Sequence, residues 1–370
     1  MLQSTDIHHM ARALQLAHHG LYTTDPNPRV GCIIVRDGVV VGEGFHARAG
    51  EPHAEVHALN AAGERSRGAT AYVTLEPCSH HGRTPPCAPR LAAAGVTRVV
   101  TAMEDPNPKV AGRGHALLRE AGVEVLTGVL EAEAQALNEG FVKRMRTGRP
   151  LVRVKLGASL DARTALADGA SQWVTGPAAR ADVQRLRARS SLVLSSARTV
   201  REDGARLDVR LSAADLGGED PVRQPVRLVL DREGRLGPDL PLFDSPAPVW
   251  VAVDAALEES VRARLAGTAA QVLALPVTGG RFDLPALLDA LGAREINELL
   301  VEAGPRLAGA FLAAQLVDEL VLYVAPTLLG DAARPLAVLP GPAQLAQRLN
   351  WRWADVRQVG DDLRLTLRPR

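Results

Sequence analysis

The sequence predicts two consecutive α/β domains. Three observations carry this expectation. A chain of 370 residues is long for a single core. Its hydrophobic content of 46% is ample for two. In both halves, apolar runs of strand length alternate with segments of helical spacing, on either side of the basic, Gly- and Pro-containing stretch from Lys143 to Pro150. The spacing therefore predicts one domain over residues 1–147 and a second over 148–370.

In the first half, Ile7, Met10, Ala11 and Leu14 lie one helical turn apart, so Asp6 to His19 is expected as a helix stopped by Gly20. Val30 to Val35 is an apolar strand, and Asp37-Gly38 turns the chain into a second strand at Val39-Val40-Val41. A helix over Ala54 to Ala62 ends at Gly63, and a strand over Ala69 to Leu75 delivers Glu76-Pro77-Cys78. A helix opened by Cys78 and running through Arg90 to Ala94 follows. Next come a strand at Arg98 to Ala102, a helix at His115 to Ala121 and a strand at Val123 to Leu126. This is a three-layer α/β pattern.

The second half restarts with a strand at Leu151 to Leu156. Further strands are expected at Ser191–Ser195, Val226–Asp231, Pro248–Val253, Gln271–Leu275, Glu298–Glu302, Glu319–Ala325 and Asp362–Leu367, with helices between several of them. Arg201 to Pro225 reads as polar loop.

Several function classes fall away on composition. A net charge of +1 offers no broad electrostatic footprint for nucleic acid. No apolar run approaches a membrane span, and the amino terminus has no signal-like pattern. Only three cysteines, without a disulfide framework, point to a reducing compartment, so a cytoplasmic location is expected.

The chemistry-bearing motif is His53-Ala54-Glu55 with Pro77-Cys78 and Cys87. One imidazole and two thiolates can hold zinc while a fourth position stays open for water, whose pKa the metal lowers from ~16 towards ~7. In H-x-E…P-C-x-x-C deaminases the glutamate is a proton shuttle rather than a ligand. Here eight residues separate the cysteines instead of two. A closed structural site with His57 or His80 as fourth ligand fits the same residues. Cys32, inside Val30-Gly31-Cys32-Ile33-Ile34-Val35, is expected as a buried strand residue.

Signals in the second half are weaker. Glu302-Ala303-Gly304-Pro305 joins a strand to a helix at Arg306 to Gln315, a plausible cradle for a pyrophosphate, although a plain strand-to-helix turn explains it equally well. Lys155, among apolar neighbours, either faces solvent or lines a cleft.

The chain resembles the bifunctional deaminase–reductases of riboflavin biosynthesis. The resemblance rests on Asn27-Pro28-Arg29-Val30-Gly31-Cys32, on Gly50 through Leu59, on Tyr72 through Cys87, and on Asp105-Pro106-Asn107-Pro108 followed by Val110 through Gly114. In the second half it rests on Lys155 through Asp161, Ser171-Gln172-Trp173 and Val301 through Pro305. It implies a cytidine-deaminase-like three-layer α/β/α domain followed by a dihydrofolate-reductase-like α/β domain. The implied first reaction is hydrolytic deamination of 2,5-diamino-6-(5-phosphoribosylamino)pyrimidin-4-one. NADPH-dependent reduction of the ribosyl group to a ribityl chain follows. It also implies a homo-oligomer, dimer or tetramer.

Residue by residue, the resemblance assigns zinc to His53, Cys78 and Cys87, and proton transfer to Glu55. Asn27, His46, His80, Asp105 and Asn107 match the deaminase substrate pocket. Lys155 and Asp203 are the reductase proton-donor candidates. Ser171, Arg187, Leu207, Arg210 and Glu302 match its substrate positions. Gly157, Trp173, Thr199, Asp203 and the run Gly304-Pro305-Arg306-Leu307-Ala308-Gly309-Ala310 match NADPH positions. Two departures stand out. The family's Asp-Asp-Pro-x-Leu-Thr-Val-Arg is replaced by Glu202 through Arg210, which contains Arg206 and Asp208, and Arg232 stands where many members have serine. The competing reading is a zinc deaminase of another nucleoside or a tRNA base with an accessory second half.

Overall fold

The computed structural model describes residues 3–79, 85–108, 110–218 and 221–370. The chain divides into two compact units, Met1–Gly148 and Arg149–Arg370.

The first unit begins with α1 (Ser4–His18), the hairpin strands β1 (Gly31–Arg36) and β2 (Val39–Phe45), α2 (Ala54–Ala62) and β3 (Thr70–Val73). It continues through α3 (Cys87–Ala93), β4 (Arg98–Thr101), α4 (Arg113–Glu120), β5 (Glu124–Thr127), α5 (Glu131–Leu137) and α6 (Glu139–Thr147). The sheet order is β2-β1-β3-β4-β5. β1 is antiparallel to β2 and β3, and β3, β4 and β5 run parallel. Asp37 and Gly38 both take positive φ, 51° and 75°, which is the backbone that a two-residue Asp-Gly hairpin requires. Strand β1 is buried over Gly31 to Val35, because helices cover the sheet on both faces; Cys32 is fully buried there, as expected.

One close approach sets the position of α2. A Cβ on Gly42 would lie 2.2 Å from the Ala58 carbonyl oxygen, and one on Gly44 2.5 Å from that of Ala54. Two glycines two residues apart on β2 thus let the helix backbone rest directly on the strand. The first turn of α2 is fixed against the sheet as a result.

The second unit contains β6 (Leu151–Ser159), β7 (Arg163–Ala165), α7 (Pro177–Arg189), β8 (Leu192–Ser196), α8 (Ala197–Asp203), β9 (Val226–Leu230), β10 (Val249–Asp254), α9 (Glu258–Arg264) and β11 (Ala270–Leu275). After the small strands β12 (Val277–Thr278) and β13 (Arg281–Phe282) come α10 (Leu284–Ala293), β14 (Glu298–Glu302), α11 (Pro305–Ala313) and β15 (Glu319–Ala325). Strands β16 (Arg334–Pro335), β17 (Trp351–Val359) and β18 (Asp362–Pro369) close the chain. The main sheet has nine strands in the order β11-β10-β9-β8-β14-β6-β15-β18-β17. It is parallel from β11 to β15 and ends in the antiparallel hairpin β17–β18. Two apolar clusters fill its two faces, one around Val152, Leu299 and Phe311, the other around Val193, Val251 and Tyr323.

Two expectations change. Cys78 does not open a helix; the helix starts at Cys87, with Pro86 in extended conformation as its cap. Pro85 and Pro86 have no N–H to donate and restrict the residues before them, so the helix begins only after them. The stretch read as loop from Arg201 begins inside α8, which runs to Asp203 and stops at Gly204 in the left-handed region.

Candidate functional sites

His53 is the cap residue of α2, in extended backbone conformation, and Glu55 lies in the first turn. This resolves the spacing problem of two residues about 200° apart on an ideal helix, because His53 is not yet helical. Its Nδ1 is 3.6 Å from Cys78 Sγ and 3.5 Å from Cys87 Sγ. All three donor atoms lie within 4.8 Å of one another. Zinc bonded to sulfur at about 2.3 Å and to nitrogen at about 2.0 Å in a tetrahedron spaces its ligands roughly 3.5–3.8 Å apart, so this set fits the ion. His57 is not among the converging donors. The Cys87 N–H, the first of α3, donates to Cys78 Sγ at 3.3 Å, so the helix terminus does meet that sulfur without Cys78 being in the helix.

The electrostatics suit a metal. Hydrogen bonding from Cys87 and then from His53 holds the Cys78 thiol down at about 4, against opposing burial. Glu55 is 4% exposed, and burial, reinforced by the Cys78 charge, pushes its carboxyl up to about 7. A bound dication acts in the opposite direction.

Asn27 and His46 flank the same pocket. Asn27 Nδ2 is 3.0 Å from His46 Nε2, and His46 Nδ1 is 3.2 Å from the Pro52 carbonyl. The carbonyl can only accept, so Nδ1 carries the proton and Nε2 accepts from Asn27. The His46 ring meets His53 edge-on at 5.3 Å. Asp105 is buried and accepts the Asn107 N–H at 2.8 Å. Its carboxyl is raised to about 6, mainly by burial. His80 lies outside the described residues.

In the second unit, the carboxyl ends of β8, β14 and β6 lie side by side, where ligands bind in open parallel sheets. Lys155 and Glu302 are register partners. Lys155 is half-buried, with Nζ 5.9 Å from the centre of the Tyr323 ring. Burial lowers its pKa, Glu302 works to restore it, and Arg187 lowers it further. Burial opposes ionisation of Glu302, yet Arg187 outweighs it and keeps the carboxylate charged. Asp203 ends α8. Burial raises its carboxyl, as does neighbouring Glu202, while Arg334 and a hydrogen bond from Ser171 pull the other way.

Several expected ligand positions look different in place. Both sides of the Arg187 fork are taken by Glu302, at 2.6 and 2.9 Å, and a further nitrogen bonds the Asp208 carbonyl. Leu207 is 2% exposed at φ 60°, so its side chain faces the core and only its backbone can meet a ligand. Arg210 is half-exposed and bonded to Asp208 at 3.1 Å, and Asp208 also takes Arg206 at 2.8 Å. The altered loop is thus organised around Asp208, a residue that the sequence marks only as a departure.

Gly304 caps α11, its N–H bonded to Thr199 Oγ1 at 3.3 Å, with Pro305 at the first position. The free N–H groups of that turn fit a pyrophosphate. Ala308 and Gly309 are buried further along, where a Cβ on Gly309 would lie 2.0 Å from the Val338 carbonyl. Trp173 is 67% exposed with the Arg180 guanidinium 4.5 Å from its ring centre. Gly157 lies near the end of β6, where a Cβ would stand 3.4 Å from Thr175.

Fold and sites define a two-domain enzyme, a zinc-type deaminase joined to a nicotinamide-type reductase. The family model described as the cytidine and deoxycytidylate deaminase zinc-binding region matches residues 3–103, and that of the RibD C-terminal domain matches 150–365. The riboflavin biosynthesis protein RibD of Escherichia coli K12 is 53% identical over 98% of this chain and 99% of its own. That of Haemophilus influenzae is 49% identical over 99% and 98%. Among solved structures, Acinetobacter baumannii RibD superposes with a TM-score of 0.91 at 46% identity, covering 99% of both chains. A diaminohydroxyphosphoribosylaminopyrimidine deaminase/5-amino-6-(5-phosphoribosylamino)uracil reductase from Thermotoga maritima gives 0.85 at 32% identity, again covering 99% of both. The chain belongs to the RibD family, bifunctional deaminase–reductases of riboflavin biosynthesis. Its cofactors are zinc and NADPH.

Proposed function

We propose that residues 1–147 deaminate 2,5-diamino-6-(5-phosphoribosylamino)pyrimidin-4-one and that residues 148–370 reduce the resulting 5-amino-6-(5-phosphoribosylamino)uracil to its ribityl form. The observation that carries the first half is the convergence of His53 Nδ1 with the Cys78 and Cys87 sulfurs beside a buried Glu55. Bound there, zinc would supply Lewis-acid activation of water at neutral pH. Glu55 would accept one water proton and deliver it to the ring nitrogen, then carry the remaining hydroxyl proton to the leaving amine, so that water and substrate become the uracil and ammonia. His46, fixed as its Nδ1–H tautomer, holds the Asn27 amide towards the pocket. Asp105, Asn107 and His80 complete the pyrimidine and ribose contacts in this reading.

In the reductase, NADPH would supply the hydride. The run Gly304 to Ala310 receives the cofactor through its exposed first turn, with Gly157, Trp173 and Thr199 around it. Hydride addition to the opened ribosyl carbon needs a proton on the adjacent heteroatom; in this reading Lys155, the register partner of Glu302, supplies it, with Asp203 as the other candidate. Arg210 takes the sugar phosphate; Arg187, tied to Glu302, orients that carboxylate. In this reading Ser171 and the Leu207 backbone contact the same substrate.

Two further readings concern the whole chain. β17 is an edge strand of nine residues, exposed from Arg352 to Gln358, with Trp353 and Val356 63% and 56% exposed. An edge of this kind is a pairing surface, which supports a homo-oligomer. None of the three cysteines is in a disulfide, which supports a cytoplasmic location.

The test is Cys78→Ser beside the unaltered chain. The variant should lose bound zinc by metal analysis and lose ammonia release, while still reducing the deaminated substrate. Full zinc occupancy together with undiminished deamination would contradict the ligand assignment.

A further inference from the structure

Glu76 stands two residues before Cys78 and is 3% exposed. Its oxygens carry no direct bond to a lysine or arginine among the described contacts; they accept four backbone N–H groups. Oε2 takes those of Asp105 at 3.1 Å and Gly112 at 3.0 Å. Oε1 takes those of Gly114 at 2.8 Å and His115 at 3.3 Å. The first pair closes the loop that holds Asp105 and Asn107. The second pair belongs to the first turn of α4, whose cap, Gly112, has no side chain and sits at φ 74°. Glu76 therefore caps α4 from the segment that follows β3 and, as a negative charge at a helix amino terminus, interacts favourably with its dipole.

The weld is tight on the other side as well. A Cβ on Gly114 would lie 1.9 Å from the Pro77 carbonyl oxygen, so α4 rests directly on the peptide before Cys78. Glu104 and His115 come near enough to Glu76 to resemble a second metal cluster. With both Glu76 oxygens already saturated by N–H donors, that cluster is a hydrogen-bonded brace and not an ion site.

We infer that Glu76 is a positioning residue for deamination: it locks the Asp105–Asn107 loop to the strand end that presents Cys78, so that substrate contacts and metal ligands keep one fixed spacing. This rests on the reading of Asp105 and Asn107 as substrate contacts. A carboxylate is required because all four partners are donors. An amide would turn its own N–H groups against at least one of them.

The test compares Glu76→Gln, Gly114→Ala and Asn107→Ala in the zinc-loaded full chain. It reads zinc content, thermal unfolding, kcat and KM for ammonia release, and inhibition of ammonia release by added 5-amino-6-(5-phosphoribosylamino)uracil without NADPH, which reads binding at the deaminase site alone. Glu76→Gln and Gly114→Ala should retain zinc and fold, raise KM by about tenfold or more, and weaken binding in parallel, while reductase KM is unchanged. Glu76→Asp should recover part of that loss. The inference is overturned if Asn107→Ala raises KM while Glu76→Gln leaves it unchanged, or if Glu76→Gln loses zinc and binding together. An Asn107→Ala chain with unaltered KM would instead remove the substrate reading on which it stands.

Discussion

Glu55 and His53 turn towards one site because the helix starts between them. A helix begun one turn earlier would have put their side chains on opposed faces. The shuttle role of Glu55 predicts that Glu55→Gln keeps zinc and reductase activity but loses deamination by about 10²-fold or more; ammonia release beside metal analysis checks this. In the second site, Lys155 owes its setting to Glu302, which lies opposite it in the sheet and is held ionised by Arg187. Lys155→Ala should abolish NADPH oxidation with deaminated substrate and leave ammonia release intact. Unchanged NADPH oxidation would remove Lys155 from the chemistry.

At the level of elements, the metal site depends on how closely α2 lies on β2. Gly44→Ala must push the Ala54 carbonyl away by an ångström or so, at a cost of about 1–3 kcal/mol. The expected outcome is a lower unfolding temperature and faster loss of zinc to a chelator. Helix α1 is tied to the sheet by Asp6, which is fully buried and accepts both arms of Arg98, at 2.8 and 3.0 Å, and the Tyr72 hydroxyl at 2.9 Å. The Arg98 hydrogen bonds hold the Asp6 carboxyl down at about 2, against an ordinary 3.8. The unfolded chain then binds the extra proton between these values, so this contribution is complete above pH 4 and is lost as pH falls towards 2. Acid unfolding of the Asp6→Asn variant should start from lower stability and show a shallower pH dependence across that window.

Over the whole molecule, the strands flanked by clear turns were legible, and Ala54–Ala62, Glu298–Glu302 and Glu319–Ala325 fall where spacing puts them. The cluster of His53, Cys78 and Cys87 was legible because these are rare residue types in a recognisable order. What was not legible depends on distant partners. Arg153 alternates like a solvent-facing residue, yet it is 1% exposed, bonded to Glu319 at 2.5 Å and Glu298 at 3.0 Å, residues far along the chain. β17 carries its apolar residues Trp351, Trp353 and Val356 opposite Pro369, Leu367 and Leu365, but the bulge between Trp353 and Asp355 breaks the strict alternation, so periodicity gave no sign of it. The Arg187–Glu302 pairing and the anchoring of Arg206 and Arg210 by Asp208 are likewise products of the fold. They leave Arg187 tied to Glu302 and Arg210 as an exposed cation beside Asp208.

If one chain performs two reactions in a fixed order, NADPH consumption by the zinc-loaded protein follows deamination. Supplied with the diaminopyrimidine ribosylamino phosphate, the protein should oxidise NADPH. The signal should vanish in Glu55→Gln and return when that variant receives the deaminated uracil. Ammonia release without NADPH consumption, or consumption undiminished in Glu55→Gln, would contradict it.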